Sequence, residues 1–491
     1  MVHKIKSSLF PKTLMNRSTE LAVVGAGPGG YAAAFLAADL GMRVTLIGRE
    51  PSPGGVCLYT GCIPSKTLLH ATKLIKEARQ ARKWGIEFED LSINLEKLRN
   101  WNNGVIRRLT GGLRQLSEQR SVDYVQGNAS IVDPTTLSIK TSDSEYQLTF
   151  EHLLLATGSR PATFPGLSFT SERLLDSTAA LELTDIPETL LVIGGGYIGL
   201  ELGTVVSALG SKVTVVEITS GLLPGIDRDL VSVLSRNLRS TFHEILLQTK
   251  VTLVEEVAEG IRVNFEGSSV EPDRVFGKIL VAIGRIPNSN IHGLHNTKVE
   301  VDARGFVKVD AQYRTGEPTI FAIGDLVGEP MLAHKASFEG RMAVEVIAGH
   351  KVEFESKIIP AVIFTDPEIA WCGLTEGEAT HKRWPVQVAR FPWAASGRAI
   401  TLDRSDGLTK LIIEPKTERI LGIGVVGTCA GELIAEGVVA IEMGVLASDL
   451  KRFIHPHPTL SETLMESAEV FFGQSTNVYR PKKKNVQDET E

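Results

Sequence analysis

Cysteine is scarce: the 491 residues hold four. So few exclude a secreted framework stapled by disulfides and point to a reducing compartment, where any disulfide is functional rather than structural. An excess of positive charge is also missing. The formal net charge is −6, which excludes a general nucleic-acid-binding surface. No uninterrupted apolar run reaches the ~20 residues of a bilayer span. The nearest, residues 190–209, is broken by glycines and by Glu201, so no membrane partner is expected. Residues 1–19 contain no acidic residue and no apolar core of a secretory signal. They read as a flexible leader and the location as cytoplasmic, or as the mitochondrial matrix if the basic leader is a transit peptide. Residues 480–491 read as a flexible tail.

What the chain has in plenty is glycine, 46 residues, which suggests tight turns and phosphate loops. Its length calls for three or four domains. Residues 21–30 form a short apolar strand running into G-x-G-x-x-G at Gly25, Gly27 and Gly30. An Ala/Leu-rich helical segment follows, then a strand from Val44 to Ile47. This is the strand–turn–helix–strand setting that a dinucleotide fingerprint needs. The acid that should close the second strand and hold the ribose is absent: Gly48 stands there, followed by Arg49 and Glu50. Either Glu50 substitutes from a shifted loop, or the ribose is held without a carboxylate.

The pattern recurs at residues 190–199, with Gly194, Gly195, Gly196, Tyr197, Ile198 and Gly199. Here the next strand ends in Glu217. A carboxylate at that point accepts from a free 2′-hydroxyl and repels a 2′-phosphate, so the nucleotide should be NAD rather than NADP. The copies are too far apart for a solenoid repeat and read as two dinucleotide domains, one inserted in the other. Apolar strands ending in glycine follow each copy, at Thr157-Gly158 and at Gly284, and a third ends at Gly324-Asp325. Such strand ends are where ligands bind in α/β sheets. Asp325 suits a ribityl or ribose hydroxyl, or else a helix N-cap.

Between the copies lies Gly54-Gly55-Val56-Cys57, then Cys62-Ile63-Pro64-Ser65-Lys66. Leu68, Leu69, Leu74 and Ile75 follow with helical spacing, and Pro64 suits a first turn. Cys62 therefore falls at a helix N-terminus, where the dipole favours a thiolate, and Lys66 adds a cation four residues on. Residues five apart in an ideal helix are separated by roughly 8.6 Å, beyond the about 7 Å that a disulfide tolerates. The pair closes only if residues 57–61 form a distorted lead-in, which Gly61 permits. A strained, accessible disulfide of that kind is labile and catalytic. Two buried structural cysteines would share the spacing, and C-x4-C alone does not choose.

After about residue 358 strand-like and helical runs alternate as in an α+β domain. Near its end, His455-Pro456-His457-Pro458-Thr459-Leu460-Ser461-Glu462 projects two histidines from a restricted backbone, with Glu462 placed to orient His457.

Taken in order, these motifs resemble the FAD-dependent pyridine-nucleotide disulfide oxidoreductases over about residues 20–475. Cys-Ile-Pro-Ser-Lys and Thr-Leu-Ser-Glu resemble the forms carried by members that oxidise dihydrolipoamide. Glutathione reductases typically carry Cys-Val-Pro-Lys-Lys and arginines where Glu217 sits. Besides Gly48, two positions depart: Tyr197, more familiar from glutathione reductases, and Tyr59-Thr60 between the cysteines, where Asn-Val is commoner.

The resemblance implies an α/β fold with two Rossmann-like dinucleotide-binding domains and a C-terminal α+β dimerisation domain. It divides the chain into an FAD-binding part (20–158 and 289–357), an inserted NAD-binding domain (159–288) and an interface domain (358–479). It implies one non-covalent FAD per subunit, held by Gly25, Gly27, Gly30, Glu50, Gly55, Lys66, Ala129, Thr157, Gly158, Asp325 and Ala333. NAD would meet Gly194–Gly199, Glu217, Val251 and Gly284. Cys57 would meet the substrate, Cys62 would face the flavin, and Lys66 would pair with Glu201. His457, oriented by Glu462, would act in the partner subunit's active site, making the working unit a homodimer, while His455 would be structural. The activity implied is oxidation of dihydrolipoamide to lipoamide through Cys57 and Cys62, with NAD+ as acceptor and no metal. The lipoyl group would come from another protein, of a 2-oxoacid dehydrogenase or a glycine-cleavage system. The nearest rival is another NAD(P)H-dependent disulfide reductase, glutathione reductase-like. A non-catalytic binding core of an assembly would need none of Cys57, Cys62, Lys66, His457 or Glu462.

Overall fold

Strand β1 (Arg17–Val24) buries Leu21, Ala22 and Val23 completely and runs into the first glycine turn. A computed structural model describes residues 17–88, 92–164, 171–267, 271–351 and 358–479. Three residues assigned to the leader from sequence, Arg17 to Thr19, belong to β1. Arg17 pairs with Leu148 and stacks over the Tyr146 ring, and Thr19 Oγ1 donates to the Arg43 carbonyl at 2.7 Å. The rest of the expected leader and the tail from Arg480 lie outside the described residues.

The described residues divide into two compact units. One is drawn from 1–63, 104–160 and 285–354, the other from 64–103, 161–284 and 355–491. In the first, β1 lies between β2 (Val44–Gly48) and the long strand β6 (Glu145–Leu155), parallel to both. β3 (Asp123–Gln126) extends the sheet beyond β2, and β4 (Asn128–Asp133) and β5 (Thr136–Lys140) form a meander with β6. The strand Ile320–Ala322 returns late in the chain to pair with β6.

Helix α1 (Pro28–Asp39) starts on a proline and buries only Gly29, Gly30, Ala33, Ala34 and Ala37. Such small residues let the helix Ala333–Ile347 approach closely: a Cβ on Gly340 would lie 2.5 Å from the Gly29 carbonyl oxygen. Larger residues on either face would push the nucleotide turn away from the sheet.

The second unit carries a five-stranded parallel sheet centred on Thr189–Ile193, flanked by Lys212–Val216 and Lys278–Val281. It also holds a five-stranded antiparallel sheet of the C-terminal region, covered by the helices Ala430–Glu442 and Glu462–Phe472. The Lys410 side chain, 1% exposed, reaches Asp227, Asp229 and Glu376 at 2.7, 2.8 and 2.7 Å. Arg390 also pairs with Asp229 and Glu376. This ion cluster ties the helix Arg228–Thr241 to the antiparallel sheet. Among the described residues no helix is long and apolar enough to cross a membrane.

Candidate functional site

The two fingerprints share one construction. The outer glycines are demanded by backbone contact: a Cβ on Gly25 would sit 2.1 Å from the Ala156 carbonyl oxygen, and one on Gly30 1.8 Å from that of Gly25. Gly194 and Gly199 are equally confined, with Cβ positions 2.4 Å from the Ala282 oxygen and 2.5 Å from the Gly194 oxygen. The middle glycines differ. A Cβ on Gly196 would meet no described atom within 4 Å, and one on Gly27 only the Gly55 Cα at 4.0 Å. Gly27 and Gly196 are the N-caps of α1 and of the helix Tyr197–Ala208, and among the described residues no side chain caps either. Each turn therefore leaves a cradle with uncapped N–H groups at a helix N-terminus, which fits a dinucleotide pyrophosphate.

Glu217 follows the strand Lys212–Val216 and is 7% exposed. Its carboxylate accepts from the Gly195 N–H at 2.7 Å and the Thr219 N–H at 2.8 Å, so it lies against the glycine turn. Tyr197 opens the helix and is 38% exposed, with Ile198 next to it half-buried. Val251 is buried on the strand Lys250–Val257, and Gly284 lies beyond Lys278–Val281 with φ +126°.

At the corresponding point of the first fold, Gly48 ends β2 and leaves no room for a side chain. A Cβ there would lie 2.6 Å from Tyr124 Oη and 2.7 Å from the Ala26 Cβ. Glu50 is exposed, and its carbonyl accepts from the Tyr124 hydroxyl at 2.7 Å.

Cys57 sits mid-way along a short helix, α2 (Gly55–Tyr59), and Cys62 is the first residue of α3 (Cys62–Gln80). The lead-in is thus a separate turn of helix rather than a distortion of α3. Gly55, at φ +59°, presses on the first fingerprint: a Cβ there would be 2.5 Å from the Gly27 Cα. The chain breaks at Thr60 (φ −142°, ψ 26°), and Gly61 folds back so that its Cβ would lie 3.4 Å from the Cys57 Cα. Cys57 is half-buried and Cys62 exposed. Tyr31, in the first turn of α1, has its hydroxyl pKa raised by burial and then by the neighbouring Cys57 and Cys62. Sequence reasoning missed Tyr31.

Lys66, on α3, donates to Glu201 Oε2 at 2.7 Å and lies over the Phe364 ring. Glu201 is 3% exposed and its other oxygen accepts from the Phe364 N–H at 2.9 Å, which fixes both partners. Asp325 is not a cap for the helix Ala333–Ile347, whose N-cap is Leu332. Its carboxylate accepts from Ser159 Oγ at 2.5 Å, and that oxygen accepts from Arg285 Nε at 2.7 Å. Neither Ser159 nor Arg285 was anticipated, although both adjoin the glycine-ended strands. Thr157 Oγ1 donates to the Asn288 carbonyl at 3.0 Å, and Gly158 turns with φ +67°. Ala129 lies on β4, and Ala333 opens its helix.

In the second unit, His457 Nδ1 meets Glu462 Oε1 at 2.9 Å, while Glu462 Oε2 accepts from the Thr459 N–H at 2.8 Å. The His457 side chain is 78% exposed. His455 is different: its side chain is 7% exposed, with Nε2 on Glu436 and Nδ1 on the Phe453 carbonyl.

Residues 19–340 match the pyridine nucleotide-disulphide oxidoreductase family, and residues 359–468 match its dimerisation domain. The chain is 46% identical over 467 residues to a dihydrolipoyl dehydrogenase of Vibrio cholerae, covering 95% of this chain and 98% of that relative. Identity to a dihydrolipoyl dehydrogenase of Geobacillus stearothermophilus is 42% over 460 residues, covering 94% and 97%. Among solved structures, LpdA from Mycobacterium tuberculosis superposes with a TM-score of 0.85 at 26% identity, covering 92% of this chain and 99% of that one. The HOCl-induced flavoprotein disulfide reductase RclA from Escherichia coli, as a Cu(II) complex, gives 0.83 at 26% identity, covering 92% and 99%. With the cradles and the cysteine pair in place, and with matches across both parts of its length, the chain belongs to the pyridine nucleotide-disulphide oxidoreductase family.

Proposed function

We propose that this chain is a dihydrolipoyl dehydrogenase, oxidising protein-bound dihydrolipoamide to lipoamide and reducing NAD+ to NADH. The observation that carries the reading is the cysteine stretch, with Cys57 on a helix seated against the first fingerprint and Cys62 at the head of α3. FAD would lie on the first cradle, held by Gly25, Gly27, Gly30, Gly55, Ala129, Thr157, Gly158, Asp325 and Ala333, with Glu50 and Lys66 nearby. NAD would lie on the second, at Gly194–Gly199, Glu217, Val251 and Gly284. The FAD-binding part is 20–158 and 289–357, the NAD domain 159–288 and the interface domain 358–479, paired in a homodimer. The substrate partner is a lipoyl-bearing protein of a 2-oxoacid dehydrogenase or glycine-cleavage complex, met in the cytoplasm, or in the mitochondrial matrix if residues 1–19 act as a transit peptide.

His457 from the partner subunit takes a proton from one substrate thiol, since only the thiolate is nucleophilic. With Nδ1 donating to Glu462, Nε2 is the atom that receives the proton. The thiolate attacks Cys57 of the oxidised enzyme's Cys57–Cys62 disulfide, breaking that bond, forming a mixed disulfide and releasing Cys62 as a thiolate. The second substrate thiol passes its proton to Cys57 as it displaces it, so lipoamide leaves with its disulfide closed. The enzyme then holds both electrons as a reduced dithiol pair, with Cys57 protonated, Cys62 a thiolate and the first proton on His457. Bound FAD supplies the two-electron carrier between that dithiol and NAD+. Lys66, anchored on Glu201, holds a positive charge one helical turn beyond Cys62.

Tyr197 supports one second reading, a glutathione reductase-like enzyme. Steady-state rates with dihydrolipoamide and NAD+, set against glutathione disulfide and NADPH, decide between them. A higher kcat/KM for the second pair would overturn the proposal.

A further inference from the structure

The two nucleotide folds differ at one point, and the difference has a partner. Counted from Gly25, Gly48 holds the position that Glu217 holds counted from Gly194. By sheet register, β3 sets Tyr124 opposite Leu46, and in the second fold Ile245 stands opposite Val215 at the equivalent place. Thus one fold pairs an acid at the strand end with an aliphatic residue on the next strand. The other pairs glycine with tyrosine. The exchange is spatial, because Tyr124 Oη lies 2.6 Å from where a Cβ on residue 48 would be. The phenol fills the volume that the acid vacates.

The hydroxyl also takes over the acid's local bonding. Glu217 fixes the residue two beyond the strand end by accepting the Thr219 N–H. Tyr124 fixes the corresponding residue from the other side, donating to the Glu50 carbonyl at 2.7 Å. Further along, Tyr59 at the end of α2, which departs from the commoner asparagine, donates to the Ser52 carbonyl of this loop at 3.2 Å. Burial, followed by Tyr59 and Glu50, raises the pKa of Tyr124, so the group stays neutral.

We propose that Tyr124 Oη, its proton committed to the Glu50 carbonyl, is the neutral acceptor for the adenosine 2′-hydroxyl of the dinucleotide on the first fold. This rests on the reading that FAD occupies that fold. Where the fingerprint ordinarily places a carboxylate for the 2′-hydroxyl, this chain places a phenolic oxygen 2.6 Å from the point where that acid's Cβ would stand, beside Ala26. Glycine at 48 is then a requirement of the phenol, and Glu50 contributes its main chain rather than its carboxylate.

The test is FAD binding to the full-length chain stripped of flavin, compared with FAD made from 2′-deoxyadenosine. The wild-type chain should prefer FAD by roughly three- to tenfold, the worth of one hydrogen bond. Tyr124→Phe should bind both alike, with NAD+ affinity unchanged. Should Tyr124→Phe fail to fold, the wild-type preference and a second pair of variants carry the test. Gly48→Glu alone, with the phenol in place, should lose FAD affinity. Gly48→Glu with Tyr124→Ile, which copies the Glu217/Ile245 pairing, should regain both affinity and preference. Equal binding of the two flavins by wild type, an undiminished preference in Tyr124→Phe, or normal FAD binding by Gly48→Glu alone would overturn the tyrosine assignment. A stripped chain that takes up no FAD would overturn the reading of the first fold as well.

Discussion

Co-expression of a Cys57→Ser chain with a His457→Gln chain tests whether one active site is built by two subunits. The His457 side chain is 78% exposed and its held contact is the 2.9 Å bond to Glu462, so its loss should cost the fold at most about 1 kcal/mol. Its loss as a base should cost dihydrolipoamide oxidation roughly 10²–10⁴-fold. Cys57→Ser removes the sulfur proposed to meet the substrate, so each homodimer should be nearly silent. In a heterodimer built across the two-fold, both lesions fall in one site and the other site is intact. Random pairing then makes about half the dimers mixed, each with one working site, and the mixture should recover about a quarter of wild-type activity. The assay is NADH formation from dihydrolipoamide, with the two chains differently tagged so that mixed dimers are isolated and counted. If mixed dimers show only the sum of the two residual activities, each site takes its histidine and cysteine from one chain, and the shared-site reasoning fails.

Glu217→Ala should leave the Gly195 and Thr219 N–H groups without their acceptor and remove the charge that repels a 2′-phosphate. The preference for NAD+ over NADP+, read as a ratio of kcat/KM values, should fall by about tenfold or more. Lys410→Met should destabilise the second unit by about 3–5 kcal/mol, because Asp229 and Glu376 would keep only Arg390 and Asp227 would lose the ammonium that pairs with it. A urea midpoint indistinguishable from wild type would contradict that. Burial pushes the Asp366 carboxyl upward, but the charges of Arg404 and Lys76 outweigh it and hold its pKa below the usual range. A depressed carboxylate contributes stability that is complete above its unfolded pKa of about 3.9 and is lost as pH falls through the folded value. Asp366→Asn should therefore be less stable near neutrality and lose less stability than wild type below about pH 4, as followed by thermal unfolding.

The two nucleotide turns were legible because the spacing of their glycines between a strand and a helix is a local pattern, although the carbonyls that Gly25 and Gly194 must clear, those of Ala156 and Ala282, come from far along the chain. Boundaries shifted slightly, and the strand expected to end at Glu217 stops at Val216. The helix head at Cys62 was legible from Pro64 and the apolar spacing, whereas the separate turn that holds Cys57 was not. Gly61 signalled that residues 57–61 could be distorted, but the sequence did not show that Thr60 ends a separate helical turn there. Tyr124, Ser159 and Arg285 were missed for another reason. Each acts through cross-strand or long-range contact, with Tyr124 reaching Gly48 from β3 and Arg285 bonding Ser159 from 126 residues along the chain. Gly48 alone announced that something had moved. Lys410 had no signal at all, since a buried lysine looks like any other until its three acids surround it.

The contact of Gly55 with Gly27 bears on how this protein can change over generations. The two backbones touch where even a methyl group would intrude to 2.5 Å, and φ +59° at Gly55 disfavours any L side chain. A mutation at 55 would disturb the nucleotide cradle before altering either sulfur. Variation in the stretch is thereby steered toward positions such as Tyr59, whose hydroxyl reaches the Ser52 carbonyl. A lineage can exchange the residues between its cysteines and retune the loop beside the nucleotide. Any side chain at Gly55 would be strained both by its backbone conformation and by the Gly27 backbone.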